Sequence, residues 1–233
     1  MTKKRFKLES SKIVYLILVG IVFLELIASI ISVVLADDAD IRDAGISNIF
    51  LAILAIALFS IPWIIESRFK LDIPNYLEIL VLIFLFCAIV LGNIHGFLVS
   101  INGYDKVLHI VSGITISIIA FEIIHFYNQS RELSQQMNTR LVSIFAFTFA
   151  ITLLVFWEFY EFIVDTIAYN SNEDTLRNMQ RYQWENLIPI FPQDNGLVDT
   201  MLDLIVGSIG AFVVSIVGWK LLDYKQFKKN KKR

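Results

Sequence analysis

Acidic and histidine side chains occur at helical spacing in three apolar stretches of the C-terminal half of the chain. The six residues are Asp105, His109, Glu158, Glu161, Asp199 and Asp203. Within each stretch the two members are three or four residues apart, so a helix places them on one face. Ionisable groups inside a membrane segment are costly and usually face the interior of a helix bundle. The pattern therefore predicts a binding or catalytic site shared by three helices.

The helical rise places these side chains in one shallow layer of the membrane. At about 1.5 Å per residue, His109 lies about 6 Å deeper than Asp105, and Asp203 lies about 6 Å deeper than Asp199. His125 follows His109 by 16 residues, which is about 24 Å along a helix. The two histidines therefore cannot share a metal ion, and we interpret His125 as a packing or interface residue.

The predicted layer has few compensating charges. With Asp165 it holds six carboxylates, and Lys106 is the only basic residue within the spans nearby. Burying so many unpaired carboxylates is too costly, so some must be protonated, solvated, paired with arginines of the following loop, or bound to cations. Oxygen-rich sites suit Mg²⁺, Ca²⁺ or Mn²⁺, and a histidine admits Zn²⁺. We therefore predict a divalent metal held by the six residues named first.

Some of these residues are also predicted to take part in catalysis. A bound metal could polarise a phosphoryl or carbonyl oxygen, or activate a water molecule. His109 is the expected proton acceptor, because imidazole titrates near neutrality. The residues with predicted catalytic roles are His109, Asp105, Glu158 and Glu161.

The longest connection in the chain, residues 166–197, is expected to cover this site. A structureless loop of such length is uncommon unless it is functional or disordered. We therefore expect it to form a lid or an amphipathic segment at the membrane interface. Arg177, Arg181 and Trp184 lie within it and are the predicted substrate-binding residues.

Long apolar runs must position all of these residues. Of the 233 residues, 56% are hydrophobic, and runs of about 20 apolar residues suffice to cross a bilayer. We predict an all-α, polytopic transmembrane helical bundle that forms one integral membrane domain. The six predicted spans are residues 12–36, 46–65, 74–92, 106–127, 140–165 and 198–221.

The distribution of basic residues predicts the orientation. Sixteen of the 20 Lys and Arg residues lie at the two ends of the chain or in or beside the second and fourth connections. Because basic residues accumulate on the cytoplasmic side, both termini are predicted to be cytoplasmic, and residues 166–197 extracytoplasmic. The tail KQFKKNKKR is expected to rest against anionic lipid headgroups. Since topology explains this tail, the sequence offers no support for nucleic-acid binding.

Two further features concern contacts between the spans. Glu25 lies near the middle of the first span, where a lone acid is expected to pair with another helix or to belong to a proton path. Gly207 and Gly210 continue the helix face of Asp203. Small residues at these positions would let a neighbouring helix approach closely.

The segments YDKVLHIVSG, WEFYEF and DNGLVDTMLDLIVGSIGA resemble three ordered motifs of the YjdF-like inner-membrane family. The matching positions are Asp105, Lys106, His109 and Gly113; Trp157, Glu158 and Glu161; Asp199 and Asp203. More distantly, the DKxxH entry and the acidic last helix are similar to VanZ-like proteins, some of which are associated with tolerance of glycopeptide antibiotics. The resemblance implies a bacterial-type plasma membrane protein and implies no reaction.

The sequence leaves three functions open. The first is a metal-dependent enzyme or metal-binding protein that acts on a lipid-linked or cell-envelope substrate at the extracytoplasmic face. The second is an ion-coupled transporter, although neither a midplane cluster nor a repeated half is visible. The third is a noncatalytic envelope protein, in the manner of VanZ-like tolerance proteins, whose polar layer locks the bundle.

Overall fold

All regular elements among the described residues of this computed structural model are helices, which confirms the all-α prediction. The structure describes residues 10–69, 72–129, 131, 136–170, 179–180 and 195–231. The elements are α1 (Ser10–Leu35), α2 (Ala39–Phe59), α3 (Ile61–Phe69), α4 (Asn75–Leu85), a π-helix (Phe86–Ile94), α5 (Phe97–Ser100), α6 (Tyr104–Gln129), α7 (Thr139–Asn170) and α8 (Asn195–Lys231).

Six helical segments in the described part of the chain are long and apolar enough to cross a membrane, as predicted. They are Ser10–Leu35, Ala39–Phe69, Asn75–Ile94, Tyr104–Gln129, Thr139–Ile167 and Gly196–Tyr224. The second begins earlier than the predicted 46–65 because Asp38 caps it: its carboxylate accepts the backbone N–H of Asp40 at 2.8 Å. Capping by an acidic side chain satisfies one of the free amides at a helix N-terminus.

The chain forms two compact units, Met1–Ile101 and Asn102–Arg233. In the first unit, Val22 of α1, Phe59 of α2 and Leu82 of α4 are among the buried core residues. Near this core, Glu25 Oε1 lies 3.1 Å from His95 Nε2, just beyond the π-helix. Glu25 therefore pairs with a residue of another element, as expected of an acid at its depth.

In the second unit, α6 and α8 touch through glycines. A Cβ added at Gly113 would lie 2.1 Å from the carbonyl oxygen of Gly207, and one at Gly210 would lie 2.4 Å from that of Ile110. Both distances are shorter than atoms tolerate, so the two backbones are in contact where only glycine fits. This confirms the close approach predicted from Gly207 and Gly210.

Polar contacts join the beginning of α7 to the C-terminal part of α8. Thr139 Oγ1 hydrogen-bonds to Asp223 Oδ1, and Ser143 Oγ donates to the carbonyl oxygen of Ser215 at 2.6 Å. The guanidinium of Arg140 lies 5.7 Å from the centroid of the Trp219 ring. These contacts hold α7 against α8 at the ends of the two helices that lie away from Glu158, Glu161, Asp199 and Asp203.

We expect Gly113→Ala to destabilise the protein by about 1–3 kcal/mol, because the added methyl overpacks the contact with Gly207. The matched control is Gly20→Ala in α1, where an added Cβ meets nothing within 4 Å. It should instead stabilise its helix, by up to about 1 kcal/mol. The measurement is the free energy of unfolding in mixed micelles. Equal effects of the two substitutions would contradict the packing described here.

Candidate polar site of the C-terminal unit

The six predicted residues come together where α6 and α8 begin and α7 approaches its end. Five of them are buried, namely His109, Glu158, Glu161, Asp199 and Asp203. Asp105 is half-buried, with 22% of its side chain exposed. The helix faces predicted from spacing are therefore the faces that α6, α7 and α8 turn toward one another.

Lys106 lies at the centre of this group. Its Nζ donates to Asp105 Oδ2 at 3.1 Å, to Asp203 Oδ2 at 2.7 Å, and to Asp199 Oδ1. The ammonium thus uses its three donors on three carboxylates from two helices. In the sequence-based prediction Lys106 is a nearby charge and a matching motif position, but it is not among the predicted site residues. The available signal was its position inside the motif, immediately after Asp105.

His109 lies on the other side of two of these carboxylates. Its Nε2 is 3.6 Å from Asp105 Oδ1 and 3.8 Å from Asp203 Oδ1, while its Nδ1 is 3.9 Å from Glu158 Oε1. These separations exceed hydrogen-bond lengths. Among the described residues, the buried atoms His109 Nδ1 and Asp203 Oδ1 lack a hydrogen-bond partner. Buried polar atoms in this condition call for a bound ligand, ion or water.

Asp105 and Asp203 therefore each divide their two oxygens between two neighbours. The Oδ2 atoms bind Lys106, and the Oδ1 atoms face His109. Asp105, His109 and Asp203 can each offer one ligand atom such that all three atoms lie within 4.8 Å of one another. This spacing permits a single metal ion to contact all three.

The charge of the site favours a cation. With every carboxylate ionised and the imidazole neutral, five carboxylates and one ammonium leave a formal charge of −4. Uncompensated buried charge is costly, and one salt-bridged lysine offsets only part of it. A divalent ion would halve the remaining formal charge.

Glu161 reaches the site from the neighbouring turn of α7. Its Oε1 accepts the indole N–H of Trp157 at 2.7 Å, and it lies within range of the charges of Glu158, Asp105 and Asp203. Trp157 is itself 48% exposed, and its ring centroid lies 5.2 Å from that of Tyr160. A buried carboxylate is thus held by an aromatic residue on the outer side of the helix.

Asp165 has a different role from the one its position in the acidic stripe predicted. Its carboxylate accepts the backbone N–H groups of Met179, at 2.7 Å, and Gln180, at 2.9 Å. The Gln180 side chain in turn donates to Thr200 Oγ1 at 2.6 Å. Asp165 therefore fixes two residues of the long connection against α7 and α8. The predicted Arg177, Arg181 and Trp184 lie outside the described residues.

His125 is separate from this group, as the residue count predicted. Its Nε2 lies 2.8 Å from Gln129 Nε2 at the far end of α6. Only His109, of the two histidines on α6, lies among the buried carboxylates.

A family described as "Predicted membrane protein (DUF2238)" matches residues 14–224. The chain belongs to this family. The YjdF-like proteins are the same family, so the resemblance drawn from the three motifs is confirmed. No curated protein and no solved structure matches the chain. The resemblance to VanZ-like proteins stays a prediction.

We expect Trp157→Phe to destabilise the protein by about 1–3 kcal/mol, because buried Glu161 would lose the indole donor. Trp63→Phe in α3 is the control, since Trp63 is 66% exposed. Its effect should stay within about 0.5 kcal/mol, as for most surface substitutions. Thermal unfolding of the purified variants in detergent compares the two. An equally small effect at Trp157 would show that its hydrogen bond does not support Glu161.

Proposed function

We propose that the polar site binds one divalent cation and that this cation serves a reaction on a lipid-linked or cell-envelope substrate. The observation that carries the proposal is the convergence of Asp105, His109 and Asp203 on the side of the carboxylates away from Lys106. Asp203 is completely buried, and its Oδ1 lacks a hydrogen-bond partner among the described residues. A cation supplies that partner.

The donor set suits Mn²⁺ or Zn²⁺ best. Two carboxylate oxygens favour Mn²⁺, and an imidazole favours Zn²⁺. Three protein ligands leave a coordination position open for water or substrate, which is typical of catalytic rather than structural sites. This ligand set is narrower than the six residues predicted from the sequence.

Glu158 and Lys106 are positioned to orient the three ligand side chains. A metal-bound histidine commonly donates its other ring N–H to a carboxylate, which fixes the orientation of the ring. Glu158 Oε1 is the carboxylate oxygen that faces His109 Nδ1, at 3.9 Å. Lys106 holds Asp105 and Asp203 by their other oxygens. The hydrogen bonds of Lys106 orient the two carboxylates before any ion arrives, and Glu158 would hold the imidazole once His109 binds the metal.

The chemistry follows from this division of roles. When bound, the metal would polarise a phosphoryl or carbonyl oxygen, or lower the pKa of a coordinated water. A His109 that ligates through Nε2 cannot accept a proton there. We therefore assign proton transfer to Glu158, whose Oε1 lies 3.9 Å from His109 Nδ1, and to Glu161, which follows one turn later in α7.

The proposal places the site at the extracytoplasmic side of a bacterial-type plasma membrane. The support is the position of the site at the end of α8 opposite the basic tail. Basic segments are retained in the cytoplasm. A substrate of the cell envelope would reach the site from that side.

Cysteine labelling tests this orientation, since Cys87 is the only cysteine. In a Cys87→Ser background, Asn102→Cys precedes α6 and Asn138→Cys precedes α7. We expect a membrane-impermeant maleimide to label Asn102→Cys in intact cells, and Asn138→Cys only after permeabilisation. The reverse pattern would place the site on the cytoplasmic side.

Metal analysis tests the binding. We expect about one Mn²⁺ or Zn²⁺ per purified wild-type chain, with metal lost by chelation and stability restored on readdition. Asp203→Asn should reduce the metal content at least tenfold, because it replaces a ligand oxygen. Asp43→Asn, an exposed carboxylate in α2, should retain it. Wild-type protein that binds neither ion would refute the proposal.

The reaction is tested by comparing envelope lipids. Cells that lack the protein are supplied with wild type, His109→Ala or Asp43→Asn, and their lipid-linked molecules are compared by mass spectrometry. A species that accumulates only without the protein or with His109→Ala supports an enzyme. Identical profiles in all strains would count against catalysis and leave metal binding alone.

The pairing of Glu25 with His95 favours ion-coupled transport as the second candidate. Both residues are ionisable, and Glu25 lies well inside α1. In that function the pair would carry a proton during transport. Cation-dependent uptake into proteoliposomes that Glu25→Gln abolishes would favour the transporter over the enzyme.

A further inference from the structure

The Nζ atom of Lys106 lies where a metal cation could also bind, because carboxylate oxygens surround it. Oxygens of three carboxylates converge on its Nζ, with distances of 3.1 Å to Asp105 and 2.7 Å to Asp203 and a contact to Asp199. Asp199 and Asp203 are essentially inaccessible to solvent. An ammonium with three donors fits such a set of three acceptors.

The two shared carboxylates connect this position to the proposed metal. Asp105 and Asp203 present Oδ2 to Lys106 and Oδ1 to His109, so each bridges two cation positions. Carboxylates that bridge in this way are typical of two-metal centres, whose ions are about 3.5–4 Å apart. The unpartnered Oδ1 of buried Asp203 is independent evidence for a cation on the His109 side.

We infer that the site has the architecture of a two-cation centre in which the ammonium of Lys106 takes the place of the second metal ion. This inference rests on the proposed function for the first ion. Asp199 contacts Nζ and is not one of the three residues grouped around the first ion, so we assign it to the Lys106 position.

The arrangement assigns a role to Lys106. A lysine on the chain cannot dissociate, so it supplies one permanent positive charge beside an exchangeable divalent ion. It limits the wild-type centre to one metal and holds both bridging carboxylates in place. Lys106 is therefore a positioning residue, and removing its side chain should open a second metal position.

The test measures Mn²⁺ bound to the full-length protein in detergent. Wild type should bind one ion. Lys106→Ala removes the charge and leaves space, so it should bind two ions and show the magnetic coupling of a Mn²⁺ pair by electron paramagnetic resonance. Lys106→Met removes the charge but fills the space, and should bind one. Lys106→Ala combined with Asp199→Asn should return to one ion.

The outcomes separate this inference from the proposed function. One ion in both wild type and Lys106→Ala would overturn the inference and leave the proposed function standing. No ion in either protein would overturn both. An ion in Lys106→Ala but none in wild type would refute the proposed metal while supporting Lys106 as a cation position. The inference is also overturned if Lys106→Ala and Lys106→Ser fail to fold in the presence of Mn²⁺ while Lys106→Met folds. According to the inference, a second Mn²⁺ ion would bind in the opened position, replace the lost positive charge and allow the first two variants to fold.

Discussion

The backbone contact between α6 and α8 is the constraint on which the polar site depends. Gly113 and Gly207 meet where an added methyl would not fit, and each lies four residues beyond a member of the site, His109 and Asp203. Because one helical turn separates contact and site on both helices, the glycines determine the distance across which His109 and Lys106 face Asp203. A wider separation would leave the ammonium of Lys106 and the carboxylate of Asp203 apart.

This arrangement also explains how so many acids can lie together inside the unit. One lysine neutralises part of their charge, and Trp157 donates to Glu161. The remaining negative charge lies on the side of His109, where the Oδ1 atoms of Asp105 and Asp203 face the imidazole. A half-satisfied polar network is normally destabilising, so its presence in a buried position is typical of a site that binds something.

The other end of the second unit, where α7 begins and α8 ends, contrasts with this. There, Thr139 pairs with Asp223 and Ser143 with a backbone carbonyl, so these polar groups serve helix packing. Ser and Thr hydroxyls elsewhere in the helices donate to carbonyls one turn back, as Thr115 does to Val111 at 2.7 Å. These hydroxyl groups stabilise helix packing, whereas the cluster around Lys106 joins ionisable side chains of α6 and α8.

Much of the architecture follows from the sequence alone. Apolar length predicts six spans, helical spacing predicts which faces carry the acids, and small residues predict where α8 meets another helix, since each of these depends only on local periodicity. Contacts between distant residues required the tertiary structure. Three sets of contacts depend on the rotation and register of packed helices. They are the contacts of Lys106 with Asp199 and Asp203, those of Asp165 with Met179 and Gln180, and that of Glu25 with His95. Residue spacing along one helix does not specify these quantities, because side-chain packing between helices decides them.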